Sequence, residues 1–206
     1  FIFAGYHTPT LTHPDSFALE VLASVLADGK SSRLHRSLVY EQQIALYAAA
    51  SYDRLSADPS LFYLYAAALP GKGSDQVERA LYAEVERLQR EPVSERELQK
   101  AKKTVAAEYL LSLQTVEAKA EDLAGSFVST GDPLFSRRYV TGVDQVTRDE
   151  VQTAARRYCN RSAVTTTVIQ PPSAPAPTEP AGAVERMPVT KAALDNGTTT
   201  LIGVDE

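Results

Sequence analysis

Two stretches, Gly29-Lys30-Ser31-Ser32-Arg33-Leu34 and Leu38-Val39-Tyr40-Glu41-Gln42-Gln43, constrain this chain more than any others, because they force a helix pair to hand over to a strand. Upstream of them, Phe17, Val21, Leu22, Val25 and Leu26 recur at helical spacing as one apolar stripe. Asp28-Gly29 stops that helix, since glycine takes the left-handed C-terminal conformation without a Cβ clash. Ser31 or Ser32 is then placed to cap a second helix running to Gln42. Downstream, residues 44–52 and 61–69 read as two apolar, aromatic-rich strands joined by a polar, hairpin-like turn over residues 53–59.

The remaining elements follow from local signals. Residues 1–6 form a short apolar strand closed by the turn-forming Thr8-Pro9. Ser74 is placed to cap a helix carrying Val77, Leu81, Val85 and Leu88 on one face. Ser94-Glu95-Arg96-Glu97 is a capping box, in which hydroxyl and carboxylate satisfy orphan N–H groups reciprocally, and the helix behind it buries Leu98, Ala101, Val105 and Tyr109. A third helical segment spans residues 117–129 and ends at Gly131-Asp132-Pro133. Thr147-Arg148-Asp149-Glu150 is a second capping box, opening a helix with Val151, Ala154, Ala155 and Tyr158 at one face. Residues 163–169 are a Thr/Val-rich strand. The order of strand, two helices, two strands, several helices and strand predicts an α+β fold, a mixed or antiparallel sheet with helices packed on one face.

Near residue 170 the composition changes. Pro171, Pro172, Pro175, Pro177 and Pro180, with interleaved Ala, favour an extended, semi-rigid linker over residues 170–186. Beyond it, Leu194-Asp195-Asn196-Gly197 is a hairpin-turn signal flanked by apolar residues, too small to bury a core alone. The expected division is a domain over residues 1–169, the linker, and one hairpin of a further domain over residues 187–206. The opening on Phe1-Ile2-Phe3 reads as the inside of a strand, so a longer parent protein is expected.

Composition excludes several classes of function. With 44% hydrophobic and 23% charged residues the chain matches soluble globular proteins, and a net charge of -5 leaves no basic face for nucleic acid. No apolar run approaches the ~20 residues of a membrane helix. The single cysteine, Cys159, excludes an intrachain disulfide and is expected to be a packed side chain, compatible with either cytoplasm or periplasm. Gly71-Lys72-Gly73 lacks the spacing of a phosphate loop, which weakens the reading as a small-molecule-binding domain, and no Ser-His-Asp constellation has supporting context. Paired acids such as Glu95 with Glu97 and Glu84 with Glu86 read as solvated helix faces and caps.

Taken together, the strand ending in a Pro turn, the helix ending Asp28-Gly29, Ser31-Ser32-Arg33-Leu34, Tyr40-Glu41-Gln42, the acidic and Lys-rich helix from Glu95 to Tyr109, Gly131-Asp132-Pro133 and Val146-Thr147-Arg148-Asp149-Glu150-Val151 resemble a known domain. It is the second, non-catalytic domain in each half of the pitrilysin/insulinase-type (M16) zinc peptidases. The tail from Thr190 to Val204 resembles the first hairpin of another such half. The resemblance implies a fused four-domain parent in which the first domain of one half carries His-x-x-Glu-His and a downstream Glu. There two His and that Glu hold Zn²⁺, and the motif's own Glu activates the metal-bound water.

This chain lacks that motif. His7, His13 and His35 are its only histidines, none forming an i, i+4 pair around a Glu. The expectation is therefore no catalytic residue and no metal ligand here, with zinc in the parent protein. The family also uses an Arg and a Tyr to grip substrate carbonyls. Their positions fall here on Val39 and Leu46, with Tyr47 one residue off, so that pair is expected in the other half. His7 and Tyr47 are the candidates to face a substrate chamber. Gly29, Ser31, Ser32 and Arg33 are expected to act structurally, Arg33 through hydrogen bonds at the helix start and domain packing. The implied partners are the other domains of the parent and an extended peptide, with a homodimer through the C-terminal hairpin also open. The alternative function is a scaffold or interaction domain of a protease-like protein that has lost its chemistry.

Overall fold

The computed structural model describes residues 1–53, 58–169, 189–193 and 199–203, so part of the predicted 53–59 turn, the proline-rich linker and the Leu194–Gly197 turn signal lie outside the described residues. The chain divides into two units, Phe1–Gln170 and Pro171–Glu206.

The first unit is the expected α+β sandwich. Its four strands are β1 (Ile2–Thr8), β2 (Ala45–Tyr52), β3 (Ser60–Ala68) and β4 (Val164–Val168), in the order β2-β3-β1-β4 and antiparallel throughout. Period-two alternation sends Ile2, Ala4, Tyr6 and Thr8 of β1 and Phe62, Leu64 and Ala66 of β3 to one buried face. Against that face pack α1 (Asp15–Ala27), α2 (Ser74–Arg90) and α6 (Arg148–Tyr158), which bury Leu19, Leu22, Leu26, Val77, Leu81, Val85, Leu88 and Val151 in one core. Outside them lie α3 (Glu95–Ser112), α4 (Val116–Thr130) and α5 (Phe135–Gln145), with α4 packed chiefly on α5. The second unit shows β5 (Val189–Ala193) paired antiparallel with β6 (Thr199–Gly203).

Both capping boxes form. Ser94 and Thr147 each accept a bond from the N3 backbone, while Glu97 and Glu150 reach back to the cap N–H. Gly29 ends the α1 turn at φ +76 and Gly131 ends α4 at φ +78, the left-handed conformation that stops a helix.

Four sequence expectations are corrected. The N-cap of α2 is Gly73 without a side-chain cap bond, and Ser74 is the first helical residue. Neither Ser31 nor Ser32 caps the second helix. The Ser32 hydroxyl is buried with no hydrogen-bond partner, and the segment winds as a wide π-helical turn over His35–Glu41, in which Gln42 N–H donates to the Ser37 carbonyl at 2.9 Å. Glu84 is not solvated: it is 9% exposed on α2. Lastly, α5 occupies the stretch between Pro133 and Val146, where local signals announce no helix. It lacks a side-chain cap and contains Gly142, a poor helix residue. A Cβ there would sit 2.8 Å from the Phe17 ring, so any larger residue at this position would force that ring to shift.

Candidate functional site: the open face of the sheet

The sheet's second face carries no helix among the described residues, and it is aromatic. Residues of the opposite parity on β1 and β3 point there, placing Phe3 directly across from Tyr65 and diagonal to Tyr63. Phe3 lies 5.4 Å from the Tyr63 ring and 6.5 Å from the Tyr65 ring. Tyr65 meets Tyr47 at 6.3 Å, and Tyr47 meets Phe1 at 6.0 Å. Five rings thus form one connected band over β2, β3 and β1. Phe1 (59%), Phe3 (43%) and Tyr47 (40%) keep large exposed fractions, and Leu61 extends the apolar surface toward the other end of β3. Ring pairs at these centroid distances pack favourably, so the band is one continuous aromatic surface.

Tyr47 reaches this face through a β-bulge. Ala45 pairs with Ala68 and Tyr47 with Ala67, leaving Leu46 without an opposite residue. Strict alternation from the buried Ala45 would have turned Tyr47 into the core. The extra residue flips the phase, so Tyr47, Ala49 and Ser51 face outward while Ala48 and Tyr52 are buried. His7 is on the same open face, opposite Leu61, and exposed. The structure therefore brings His7 and Tyr47 to one surface but at opposite ends of it. The sequence reading missed Phe1, Phe3, Tyr63 and Tyr65 as members of this surface. Their alternation along two paired strands was the available signal.

Gly29, Ser31, Ser32 and Arg33 lie away from it, in the turn between α1 and the π-helical segment. Arg33 is a clasp: its Nε donates to Glu97 Oε1 at 2.8 Å and its Nη2 to Glu97 Oε2 at 3.1 Å. The side chain is 12% exposed, and its Nη1 is enclosed without a hydrogen-bond partner. Glu97 serves two structures at once, since Oε2 also accepts from the Ser94 backbone N–H and hydroxyl, each at 2.8 Å. Burial alone would raise the Glu97 pKa, but the Arg33 guanidinium and the Ser94 donors prevail and hold it at about 2. Lys100 ties the same helix to the Asp28 carbonyl, the end of α1.

The donor set does not fit zinc, which takes tetrahedral N, S or O ligands at ~2.0–2.3 Å. His7 stands on β1, His13 in the turn before α1, where its Nδ1 accepts the Asp15 N–H at 3.1 Å, and His35 in the π-helical turn with Nδ1 enclosed. Among the described residues no three His, Cys, Asp or Glu side chains group to hold a metal ion. Cys159 is 2% exposed, and burial pushes its thiol up to about 12, far from a nucleophile's range. Among the described residues no helix is long and apolar enough to cross a membrane.

Comparison with known proteins agrees with this geometry. The family model described as the peptidase M16 inactive domain matches residues 2–105. Among curated proteins, the zinc protease PqqE of Helicobacter pylori is 30% identical over 123 residues, covering 60% of this chain and 27% of the relative. An uncharacterised zinc protease of Mycobacterium bovis is 30% identical over 157 residues, covering 76% of this chain and 35% of the relative. The chain therefore spans about a third of the length of the curated relatives it matches. Among solved structures, the inactive peptidase domain of a provisionally named zinc protease from Bordetella parapertussis superposes with a TM-score of 0.75 at 26% identity, covering 85% of this chain and 94% of that one. With the family model matching half its length and the fold shared over most of the chain, this chain belongs to the M16 peptidase family as one of its inactive domains.

Proposed function

We propose that the chain is an architectural domain of a longer zinc protease, and that its open sheet face lines the chamber in which an extended peptide is held. The observation carrying this is the connected band of Phe1, Tyr47, Tyr65, Phe3 and Tyr63 on the sheet face opposite the one on which the first unit's helices pack. Large rigid rings offer apolar side chains contact area at low entropic cost, and an outer strand beside them offers unpaired backbone groups for strand addition. In this reading Tyr47 and His7 face substrate from opposite ends of the wall. Gly29, Ser31, Ser32 and Arg33 hold the α1 end against α3, and zinc sits on polypeptide outside this chain. The β5–β6 pair is then the opening hairpin of a following domain, with the boundary near residue 170.

The test is peptide binding to this chain, followed by fluorescence anisotropy with extended, apolar-rich labelled peptides. Phe3→Ser and Tyr47→Ser are expected to weaken binding about tenfold each, the scale of losing one aromatic anchor of ~1–2 kcal/mol, with little change in melting temperature. Variants that bind the same peptides as tightly as the wild type overturn the assignment of this face.

A further inference from the structure

Tyr6 of β1 turns inward and is 1% exposed, yet its hydroxyl makes no hydrogen bond among the described residues. A buried hydroxyl left unpaired is costly, and a tyrosine in the core normally finds a partner for it. The groups that act electrostatically on this one, Cys159, Tyr82, Arg161 and Glu86, all line a pocket of about 400 Å³, so the hydroxyl is the end of Tyr6 that meets the pocket. The pocket stands on the helix side of the sheet, where the last turn of α2 lies beside the end of α6 and the short 3-10 turn Arg161–Ala163. Gln89 joins the two helices there, its side-chain amide donating to the Ala155 and Cys159 carbonyls at 3.1 and 2.8 Å.

Three arginines line the same pocket: Arg90 on α2, Arg156 on α6 and Arg161 in the turn after it. Arginine near a helix C-terminus is ordinary, because it complements the dipole. What is particular is how many of their N–H groups stay free. The Arg161 guanidinium carbon sits 4.1 Å from the Tyr82 ring centroid, a contact that engages the face of the group and leaves its edge donors open. The Tyr82 hydroxyl is tied in turn to the Thr166 hydroxyl, which fixes the ring. Arg156 uses its Nε, donating to the Gln89 carbonyl at 2.6 Å, and Arg90 faces Glu86 at 4.0 Å, the outer limit of an ion pair. Asn160 accepts the Ser162 N–H and hydroxyl through Oδ1, each at 3.0 Å, so its amide nitrogen remains a donor. Three guanidinium charges against the single Glu86 carboxylate leave a local surplus of two positive charges, in a chain whose net charge is -5.

We propose that this pocket binds a small organic dianion, a phosphate monoester or a dicarboxylate, held by Arg90, Arg156 and Arg161 with the Tyr6 hydroxyl donating to the same anionic group. Guanidinium offers paired planar donors that match both kinds of oxyanion. A surplus of two charges favours a dianion over chloride or a lone carboxylate. The volume, about 400 Å³, lies within the ~300–1,000 Å³ of small-molecule sites and leaves room for an organic body. Burial pushes the Tyr6 phenol well above the usual tyrosine range, so it stays protonated and remains a donor. The site lies on the other side of the sheet from the aromatic band and is independent of the chamber reading. A ligand there joins β1, α2 and α6, and so stabilises the first unit by mass action.

Isothermal titration calorimetry of this chain with glycerol phosphate, succinate and inorganic phosphate, at fixed ionic strength, reads the site directly. Saturable binding at a single site is expected for at least one of the two organic dianions, and the tighter of them identifies the end group. Tyr6→Phe removes only the hydroxyl and Arg161→Gln only the charge, and each is expected to weaken that binding about tenfold. Glu86→Gln removes the opposing carboxylate and is expected to tighten it, a gain that a merely disturbed fold does not produce. Melting curves separate binding from stability. Tyr6→Phe discards an unpaired buried hydroxyl, so its melting temperature without ligand is expected to stay level or rise, while the upward shift that the ligand gives the wild type is lost. No saturable binding at millimolar concentration overturns the proposal, as does binding that all three substitutions leave unchanged. Binding of inorganic phosphate with neither organic dianion overturns it too.

Discussion

The Arg33–Glu97 clasp allows a quantitative test of what holds the α1 turn to α3. Glu97→Gln removes the carboxylate charge while keeping the size, and leaves a guanidinium that is 12% exposed without its counter-charge. The shift of Glu97 from 4.5 to about 2 would convert in full to about 3–4 kcal/mol at ~1.4 kcal/mol per pH unit. Glu97 keeps 32% of its side-chain exposure, so solvent screening reduces the expected loss to about 2 kcal/mol. For a domain of this length that corresponds to a fall in melting temperature of about 4–8 °C. The sign with pH follows from the depressed folded value. The carboxylate stabilises the fold fully above its unfolded pKa of 4.5, and the contribution drains away as pH falls from there toward 2. Urea unfolding of wild type and Glu97→Gln at pH 7, 4 and 3 measures the difference directly, and Arg33→Ala with the double variant closes the cycle. The expected result is a gap of about 2 kcal/mol at pH 7 that narrows on acidification, with a coupling energy above ~1 kcal/mol. A gap that persists unchanged at pH 3, or two single losses that simply add, refutes the assignment of the pair as the clasp.

Backbone strain and burial supply two more tests. Gly29 sits at φ +76 with ordinary van der Waals room where a side-chain Cβ would stand, so Gly29→Ala is expected to cost about 1 kcal/mol through backbone strain alone, read as a reduced urea midpoint with an unchanged slope. Cys159 is expected to stay unreactive toward a thiol reagent at pH 8 and to label fully in 6 M urea, because burial both hides it and raises its pKa to about 12; rapid labelling of the native chain contradicts the buried placement.

Much of the fold was legible because its signals are local. The two capping boxes need only a hydroxyl and a carboxylate three residues apart, and Asp28-Gly29 and Gly131 stop helices through their own backbone preferences. The apolar, aromatic-rich run over residues 61–69 announced β3, though not which of its side chains share a face. Local signals failed where a distant contact decides. Gly142 interrupts the pattern of α5 because the Phe17 ring, far back in the sequence, occupies the space of its side chain. A π-helical turn stands where a Ser31 or Ser32 cap was expected, and Glu97, readable as a cap, also closes on Arg33.

The sequence by itself determined the α+β order of elements, the absence of the zinc-binding motif and the family resemblance, since each depends on residues close together along the chain. Tertiary structure alone decided which surfaces stay uncovered. The bulge at Leu46 turned Tyr47 outward into an aromatic band, and the packing of α2 beside α6 left a pocket open at the Tyr6 hydroxyl. Periodicity fixes which residues share a face of an element; only the placement of neighbouring elements fixes which face is left for a partner.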